Sequence, residues 1–354
     1  MAMDSFQTIF EASALPHQTA QAHETLKKMD PNPPFMSTYK QLLKAQPSCN
    51  HDLASVEECE LPLIDLSLLY TENASRCKRE IAAASQNWGF FQVVNHGISS
   101  ELLHRIRSEQ VKLFRQPFEN KCKDFSADAY RWGTPTATSL HQLSWSEAYH
   151  IPLCQSTDLS KHNTIISRLT IEELAVSLSS LAHLLGGVLA EELGGDGAYF
   201  ERNCNRETCY LRLNRYPLCP VPGGLFGLVP HTDSDFLTIL CQDEVGGLQL
   251  MKDGRWITVK PNPSALVVNI GDLFQAWSNG MYKSVEHRVI SNESEERFSV
   301  AYFMCPSYDS MIESEAEKSI YRRFSFREYR QQVQEDVKMV GYKVGLSRFL
   351  VGGA

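Results

Sequence analysis

The sequence contains no apolar run near the roughly 20 residues that a membrane-spanning helix requires. Its amino-terminal residues also lack the basic and apolar regions of a secretory signal peptide. The ten cysteines include no CxxC pair, which excludes the usual zinc-ribbon and thioredoxin spacings. A GxSxG nucleophile elbow and a Walker phosphate-binding loop are likewise missing. These absences predict free thiols in a reducing compartment, no membrane partner, and a cytoplasmic location with the nucleus as a second compartment.

Positive charge is scarce as well. Lysine and arginine number 34 against 42 aspartates and glutamates, which gives a formal net charge of −8. Nucleic-acid binding relies on clustered Lys and Arg at phosphates, so no nucleic-acid partner is predicted. A hydrophobic content of 43% is ordinary for a globular protein, and 354 residues can form one catalytic unit with helical additions. The oligomeric state is left open.

The first part of the chain carries mainly helical periodicity. A cluster of prolines in Asp30–Pro34 indicates that residues 1–58 form a variable, partly disordered leader with one short helix. Residues 59–200 are predicted to be a mainly helical amino-terminal region with short strands, the first two at Leu61–Leu66 and Phe90–Val94.

Three helices are predicted within this region. They cover Ser75–Trp88, Glu101–Phe114 with Ser100 as its N-cap, and a long segment that starts with the capping-box spacing of Thr170–Glu173. Between the second and third helices, the sequence predicts a loop at Tyr130–Pro135 and a strand at Leu143–Tyr149. By its rise per residue, the third helix is long enough to lie along a whole sheet.

From Cys209 to Cys305 the period becomes strand-like. Strands are predicted at Tyr210–Leu213, Leu237–Leu240, Leu248–Met251, Trp256–Val259, Ala265–Ile270, Ser284–Ile290 and Phe298–Met304, with a turn at Asn269–Asp272. Many short strands with regular turns are typical of a sandwich, barrel or jelly roll. Residues 201–320 are therefore predicted to be the catalytic core. The capping-box spacing of Ser325–Glu328 opens a predicted carboxy-terminal helix and tail over residues 321–354.

Three residues of this core are candidate metal ligands. His231 and Asp233 stand two positions apart beside an apolar strand-like run, and His287 lies in another such run downstream. Residues i and i+2 of an extended segment point to the same side, so His231 and Asp233 can converge. Two imidazoles and one carboxylate match the facial triad of non-haem Fe(II) oxygenases. Zinc in a hydrolase can use the same ligand types, and an HxD pair by itself is common without a metal.

Arg297 and Ser299 follow His287 at a spacing that also points two side chains one way. An arginine facing a barrel interior requires an anionic partner, whereas one on an exposed edge strand does not. A small dicarboxylate can chelate the metal at one end and form a bidentate ion pair with Arg297 at the other.

In combination, His231–Asp233, His287, Arg297–Ser299 and Asn214–Pro217 resemble the plant 2-oxoglutarate- and Fe(II)-dependent dioxygenases, and Asn87–Gly97 resembles the amino-terminal region of that family. The resemblance runs from about residue 60 to the carboxy terminus. It implies an α+β fold with a double-stranded β-helix (jelly-roll) core, flanking helices and an amino-terminal helical region.

The resemblance also implies the composition of the site. Iron would be held by His231, Asp233 and His287, and the distal carboxylate of 2-oxoglutarate by Arg297 and Ser299 with help from Tyr216 and Asn214. The cofactors implied are Fe(II), 2-oxoglutarate as co-substrate and O2, with ascorbate supporting turnover. Arg212 shares a strand face with Asn214 and Tyr216 and is left to contact either the co-substrate or a substrate acid group. Decarboxylation to succinate would be coupled to hydroxylation of an unactivated C–H bond.

Within the family, the chain looks most like gibberellin oxidases, specifically the gibberellin 2-oxidases that 2β-hydroxylate C20 precursors. The supporting stretches are Tyr130–Ser139, Ser144–His150, Phe226–His231 and Lys343–Leu350. This implies a small diterpenoid acid as substrate and deactivation of a hormone pathway. The alternatives are a gibberellin 3- or 20-oxidase, a flavonoid or alkaloid hydroxylase, a non-catalytic hormone-binding protein on the same fold, and a zinc hydrolase.

Overall fold

The computed structural model of the protein describes residues 30–45, 56–124, 129–155, 167–221 and 224–352. The helices are α1 Phe35–Thr38, α2 Lys40–Ala45, α3 Ala74–Asn87, α4 Ser100–Phe114, α5 Phe118–Asp124, α6 Arg168–Glu192, α7 Tyr199–Asn203, α8 Asp272–Trp277 and α9 Phe326–Val340. The strands are β1 Glu58–Cys59, β2 Leu63–Asp65, β3 Phe90–Val94, β4 Tyr130–Trp132, β5 Glu147–Pro152, β6 Tyr210–Tyr216, β7 Phe226–His231, β8 Leu237–Gln242, β9 Leu248–Lys252, β10 Arg255–Val259, β11 Leu266–Ile270, β12 His287–Ile290, β13 Arg297–Met304, β14 Met311–Ile312 and β15 Phe324–Ser325.

Two mixed sheets form the core. The larger has eight strands in the order β2-β3-β11-β8-β13-β6-β5-β4, and the smaller has five in the order β1-β10-β9-β12-β7. Strand β13 illustrates the arrangement, because all eight of its residues are buried. Alternate residues of β13, from Arg297 to Phe303, line a cavity, whereas Phe298, Val300 and Tyr302 belong to the main hydrophobic cluster. The predicted α+β fold with a jelly-roll core and flanking helices is confirmed.

Helix α6 covers the outer face of the larger sheet. It contacts β8 and β13 and also packs against α3 and α4. By length and composition α6 could cross a membrane, but 61% of its apolar window is buried inside the fold. It therefore acts as a core helix, and the predicted long helix lying along a sheet is confirmed.

Several predicted boundaries were wrong for local reasons. Helix α6 begins at Arg168 and not at Thr170, whose hydroxyl donates to the Glu109 carboxylate 2.9 Å away on α4. Helix α4 is capped by Ser99, which accepts from the Leu102 N–H, so the prediction of Ser100 was one residue late. At α4 the serine one residue earlier supplies the cap. At α6 the Glu109 carboxylate accepts from the Thr170 hydroxyl and also from the Ser167 N–H at 3.0 Å, so Thr170 does not act as the cap.

Strand predictions also needed correction. Tyr130–Trp132, predicted as a loop, forms β4 and pairs with β5, and the strand predicted from Leu143 begins only at Glu147. Of the predicted Ser284–Ile290 strand, only the last four residues pair as β12. The sequence missed β7 and the short helix α8, the latter because Asn269–Asp272 was read as a turn.

The predicted division into four segments stays a prediction. Strands β2 and β3 of the amino-terminal region belong to the same sheet as the catalytic strands, so the two regions share one sheet. Within the leader, residues 30–45 form α1 and α2, and Phe35 is buried against aromatic residues of the core. The predicted disorder of the remaining leader, residues 1–29 and 46–55, lies outside the described residues.

A buried charge cluster fastens the leader to the core. The Glu147 carboxylate on β5 accepts from Lys121 and from Arg215 at 2.6 Å, and it also contacts the Tyr130 hydroxyl. The side chains of Glu147, Lys121 and Arg215 are all 0% exposed. Arg215 donates further to the Asn32 side-chain oxygen at 2.7 Å. Glu147 therefore pairs with two cations that have no access to water, and Arg215 has a second carboxylate partner in Glu296, 2.5 Å away.

We expect Glu147→Ala to lower the free energy of unfolding by about 3–5 kcal/mol, because it leaves Lys121 and Arg215 buried without their shared partner. Urea unfolding followed by circular dichroism would measure the change. As a matched control, Glu172→Ala breaks an exposed ion pair with Arg206 and should cost less than about 1 kcal/mol. Equal small losses in the two variants would contradict the role assigned to Glu147.

Candidate active site

His231, Asp233 and His287 meet between the two sheets. His231 is the last residue of β7, and His287 is the first residue of β12, where the two form a register pair. Their ring centroids are 4.3 Å apart. Asp233 lies past the end of β7, so the turn after the strand, and not a continuous strand face, directs its carboxylate toward the imidazoles. The ligating atoms of the three residues all lie within 4.8 Å of one another.

Both imidazoles are oriented by backbone carbonyls. His231 Nδ1 lies 2.9 Å from the Val229 carbonyl oxygen, and His287 Nδ1 lies 3.1 Å from that of Val285. A carbonyl oxygen can only accept, so each Nδ1 carries a proton, and the Nε2 lone pair is free for a metal. Burial, and next the neighbouring His287, lower the pKa of His231 to about 3. The His231 ring is thus neutral at physiological pH, as a metal ligand requires.

The two oxygens of Asp233 have different surroundings. Oδ1 lies 3.6 Å from His231 Nε2 and 3.8 Å from His287 Nε2. Oδ2 accepts from Thr238 Oγ1 at 2.6 Å and from Asn269 Nδ2 at 2.8 Å. Burial by itself would raise the pKa of Asp233, but the two imidazoles and these hydrogen bonds outweigh it and lower the pKa to about 2. The carboxylate is therefore ionised, with Oδ1 turned toward the point where the ligands converge.

Asp235, the second nearby carboxyl, is placed differently. Burial, followed by the charge of Asp233, raises the pKa of Asp235 well above its ordinary value. Asp235 Oδ2 lies 2.9 Å from Thr238 Oγ1, the same hydroxyl that contacts Asp233. A protonated Asp235 can donate to Thr238, which leaves the Thr238 proton for Asp233. Asp235 is thus outside the group of three ligands.

The segment around Thr232, between the ligands His231 and Asp233, is held in place by the carboxy-terminal part of the chain. Asp272, at the start of α8, accepts from Thr232 Oγ1 at 3.1 Å and contacts the Tyr329 hydroxyl of α9. Lys343 Nζ lies 2.8 Å from Asp272 Oδ2 and donates to the Thr232 carbonyl at 2.8 Å. Ser284, which precedes β12, donates to Asp272 Oδ1 at 2.6 Å. Asp272 therefore joins both ligand-bearing segments to α9 and the tail.

Arg297 lies at the other end of the same cavity. Its side chain is almost fully buried, and one terminal nitrogen donates to Gln242 Oε1 at 2.8 Å. Among the described residues, the remaining Nε and Nη1 have no hydrogen-bond partner, and no carboxylate pairs with the guanidinium. The guanidinium carbon of Arg297, Cζ, lies 4.8 Å from the centroid of the Tyr216 ring. A buried cation with two free donors is a ready anchor for a carboxylate.

Ser299, Asn214 and Tyr216 complete this end of the cavity. Tyr216 of β6 pairs with Arg297 of β13, and Asn214 pairs with Ser299, so all four side chains point into the cavity. Asn214 Nδ2 lies 3.4 Å from Ser299 Oγ. The structure thus brings together all seven site residues predicted from the sequence. They line one cavity of about 210 Å³, which shares Tyr210 and Ser234 with an adjoining cavity of about 400 Å³.

Two family models match the chain. The 2OG-Fe(II) oxygenase superfamily model covers residues 207–306, and the model described as "non-haem dioxygenase in morphine synthesis N-terminal" covers residues 61–166. The chain belongs to the 2OG-Fe(II) oxygenase superfamily. It is an Fe(II)- and 2-oxoglutarate-dependent dioxygenase, and the cavity fits both groups, since it offers three convergent metal ligands and an unpaired buried arginine.

Relatives within the superfamily match nearly the whole chain. Gibberellin 2-beta-dioxygenase 8 of Arabidopsis thaliana is 57% identical, covering 90% of this chain and 98% of that protein. Gibberellin 2-beta-dioxygenase 6 of Oryza sativa subsp. japonica is 53% identical over 83% of this chain and 86% of its own length. The crystal structure of JOX2 in complex with 2OG, Fe and JA is 35% identical, with a TM-score of 0.70 over 85% of this chain and 94% of that one.

Sequence reasoning missed the residues that support the ligands. Thr238, Asn269 and Gln242 each contact a predicted site residue, and Asp272 and Lys343 hold the loop. A signal for the first three was present, because each is a polar residue within a largely apolar strand. Buried polar side chains normally have a hydrogen-bond partner, so a polar residue in an apolar strand indicates that another buried polar group lies beside it.

We expect Thr238→Val to weaken Fe(II) binding by about 10- to 100-fold, because Asp233 Oδ2 loses a hydrogen bond that orients the ligand. Anaerobic titration of the apoprotein with Fe(II) would measure the dissociation constant. Thr238→Ser keeps the hydroxyl and should remain close to wild type. Identical metal affinity in the Val and Ser variants would contradict this role.

Proposed function

We propose that this dioxygenase 2β-hydroxylates gibberellins, with C20 precursors as its substrates, and thereby deactivates the hormone pathway. The observation that carries the proposal is its 57%, 53%, 50% and 42% identity to four proteins named gibberellin 2-beta-dioxygenase. The narrower choice of C20 substrates rests on the resemblance of Tyr130–Ser139 and Ser144–His150 to the group that acts on them. The substrate is thus a small diterpenoid acid, and the proposed location is the cytoplasm.

The roles of the site residues are part of the same proposal. His231 and His287 through Nε2, and Asp233 through Oδ1, would hold the iron. Arg297 and Ser299 would bind the distal carboxylate of 2-oxoglutarate, with Tyr216 and Asn214 beside them. Once bound, iron and 2-oxoglutarate supply the oxidation of an unactivated C–H bond. The chain's own contribution is to orient that bond and to exclude water from the cavity.

Product analysis tests the proposal. Purified protein with Fe(II), 2-oxoglutarate and ascorbate is incubated with a C20 and a C19 gibberellin, and products are identified by mass spectrometry. We expect 2β-hydroxylated product and equimolar succinate, with faster turnover of the C20 substrate. Product hydroxylated only at C3, or oxidised at C20, would instead assign a gibberellin 3- or 20-oxidase.

Two other classes of function give different results in the same assay. A hormone-binding protein would bind a gibberellin tightly while releasing no succinate above the substrate-free rate. A zinc hydrolase would act without 2-oxoglutarate or O2. The three convergent metal ligands together with the free donors of Arg297 favour the dioxygenase over both, because a binding protein does not need the full set and a hydrolase does not need a buried carboxylate anchor in the metal-binding cavity.

A further inference from the structure

Two arginines among the described residues line the active-site cavity, Arg297 and Arg212. They lie at different levels of the ladder between β6 and β13, where Arg297 pairs with Tyr216 and Arg212 pairs with Ala301. At roughly 3.3 Å per residue, the four positions from Arg297 to Ala301 span about 13 Å of strand. Arg212 therefore stands well away from the anchor proposed for 2-oxoglutarate, closer to the end where the ligand Asp233 contacts β8.

Arg212 has no anionic partner within the described part of the chain. Its side chain is partly buried, and it forms no hydrogen bond or ion pair there. The residues of the cavity wall near it include the apolar Ala301, Leu240 and Phe303. A partly buried guanidinium against such a wall is costly unless a ligand brings an anion to it.

Charge balance indicates where that anion comes from, given the proposed function. The two charges of Fe(II) and the one of Arg297 are matched by Asp233 and the two carboxylates of 2-oxoglutarate. Both ends of the co-substrate then have partners, whereas the charge of Arg212 is still unmatched. A fourth carboxylate would match it, and the substrate is the remaining source.

We propose that Arg212 binds the carboxylate of the substrate and so selects an apolar polycyclic acid over its neutral analogues. The planar guanidinium matches a carboxylate in bidentate geometry. Beside it, the Tyr210 and Phe303 rings stack 4.4 Å apart and offer an apolar surface to the skeleton of such an acid. The adjoining cavity, which shares Tyr210, extends the space that a bulky substrate can occupy.

Equilibrium binding tests the role of Arg212 directly. Protein loaded anaerobically with Fe(II) and 2-oxoglutarate is titrated calorimetrically with a gibberellin and, separately, with its fully methylated ester. Wild type should bind the free acid about 10- to 100-fold more tightly than the ester, as loss of a charge-assisted hydrogen bond predicts. Arg212→Gln should lose this preference by binding the acid more weakly, and Arg212→Lys should retain part of it. Arg206→Gln removes an exposed arginine outside the cavity and should behave as wild type.

Three other results would each contradict a different part of the proposal. If Arg212→Gln keeps the preference for the acid while wild type hydroxylates gibberellins, the role of Arg212 is wrong and the proposed function stands. If the variant instead needs more 2-oxoglutarate and binds the acid normally, Arg212 contacts the co-substrate. If wild type neither binds nor hydroxylates any gibberellin, the proposed function fails, and this inference fails with it.

Discussion

Replacing Asp233 with alanine is expected to abolish turnover and to weaken Fe(II) binding by more than roughly 100-fold. That value is the upper end of the loss in metal affinity when a residue that hydrogen-bonds to a ligand is removed. Asp233 supplies the one carboxylate among the three convergent ligands, and two imidazoles cannot fix a facial geometry by themselves. The variant also leaves Thr238 and Asn269 without their shared acceptor. Anaerobic Fe(II) titration and succinate release in the presence of substrate would measure the two effects separately.

Asp235→Asn is the matched control for this experiment. Asp235 is also buried and contacts the same Thr238 hydroxyl, but burial and the charge of Asp233 raise its pKa, which favours the neutral carboxyl. An amide has nearly the same shape and can still donate to Thr238, so iron binding should be largely kept. If Asp235→Asn lost iron and Asp233→Ala retained it, the assignment of the two carboxylates would have to be exchanged.

The strands that the sequence predicted well are short, largely apolar runs with no exposed residue. Strands β8, β9 and β11 were placed within about two residues, because a short apolar run bounded by turn residues is typical of a buried strand. Strand β7 was missed because Gly227 and Pro230 interrupt its apolar run. Helix α8 has six residues, fewer than two helical turns, so no periodicity can reveal it.

The site was predicted residue by residue, but part of its geometry was not. The sequence placed His231 and Asp233 on one strand face, whereas Asp233 lies in the turn that follows β7. Arg297 begins the strand that follows His287 along the chain, but β12 and β13 belong to different sheets, so the spacing does not show how the two side chains meet. Pairing of His231 with His287 depends on the register of distant strands, which the local pattern does not encode. Family motifs identified the residues, and only tertiary structure supplied the reason that they meet.

Replacing Arg297 with alanine is expected to raise the KM for 2-oxoglutarate by roughly 10- to 100-fold, the effect of losing hydrogen bonds to a charged group worth about 1.5–3 kcal/mol. Arg297 is buried with two donors that no acceptor of the described residues takes, so a carboxylate that enters the cavity gains hydrogen bonds from both. Steady-state kinetics at varied 2-oxoglutarate, with substrate and Fe(II) saturating, would measure the change.

The comparison with Arg297→Lys separates charge from geometry. Lysine keeps the positive charge but has a single nitrogen, so it cannot donate to Gln242 and to both carboxylate oxygens in the planar arrangement of a guanidinium. Its KM for 2-oxoglutarate should fall between those of wild type and the alanine variant, and Fe(II) affinity should be unchanged in both variants, because Arg297 is not among the metal ligands.

A KM that stays at the wild-type value in Arg297→Ala would show that the co-substrate is anchored elsewhere. Arg212 would then become the candidate anchor, because it is the other arginine of the cavity and has no anionic partner within the described residues.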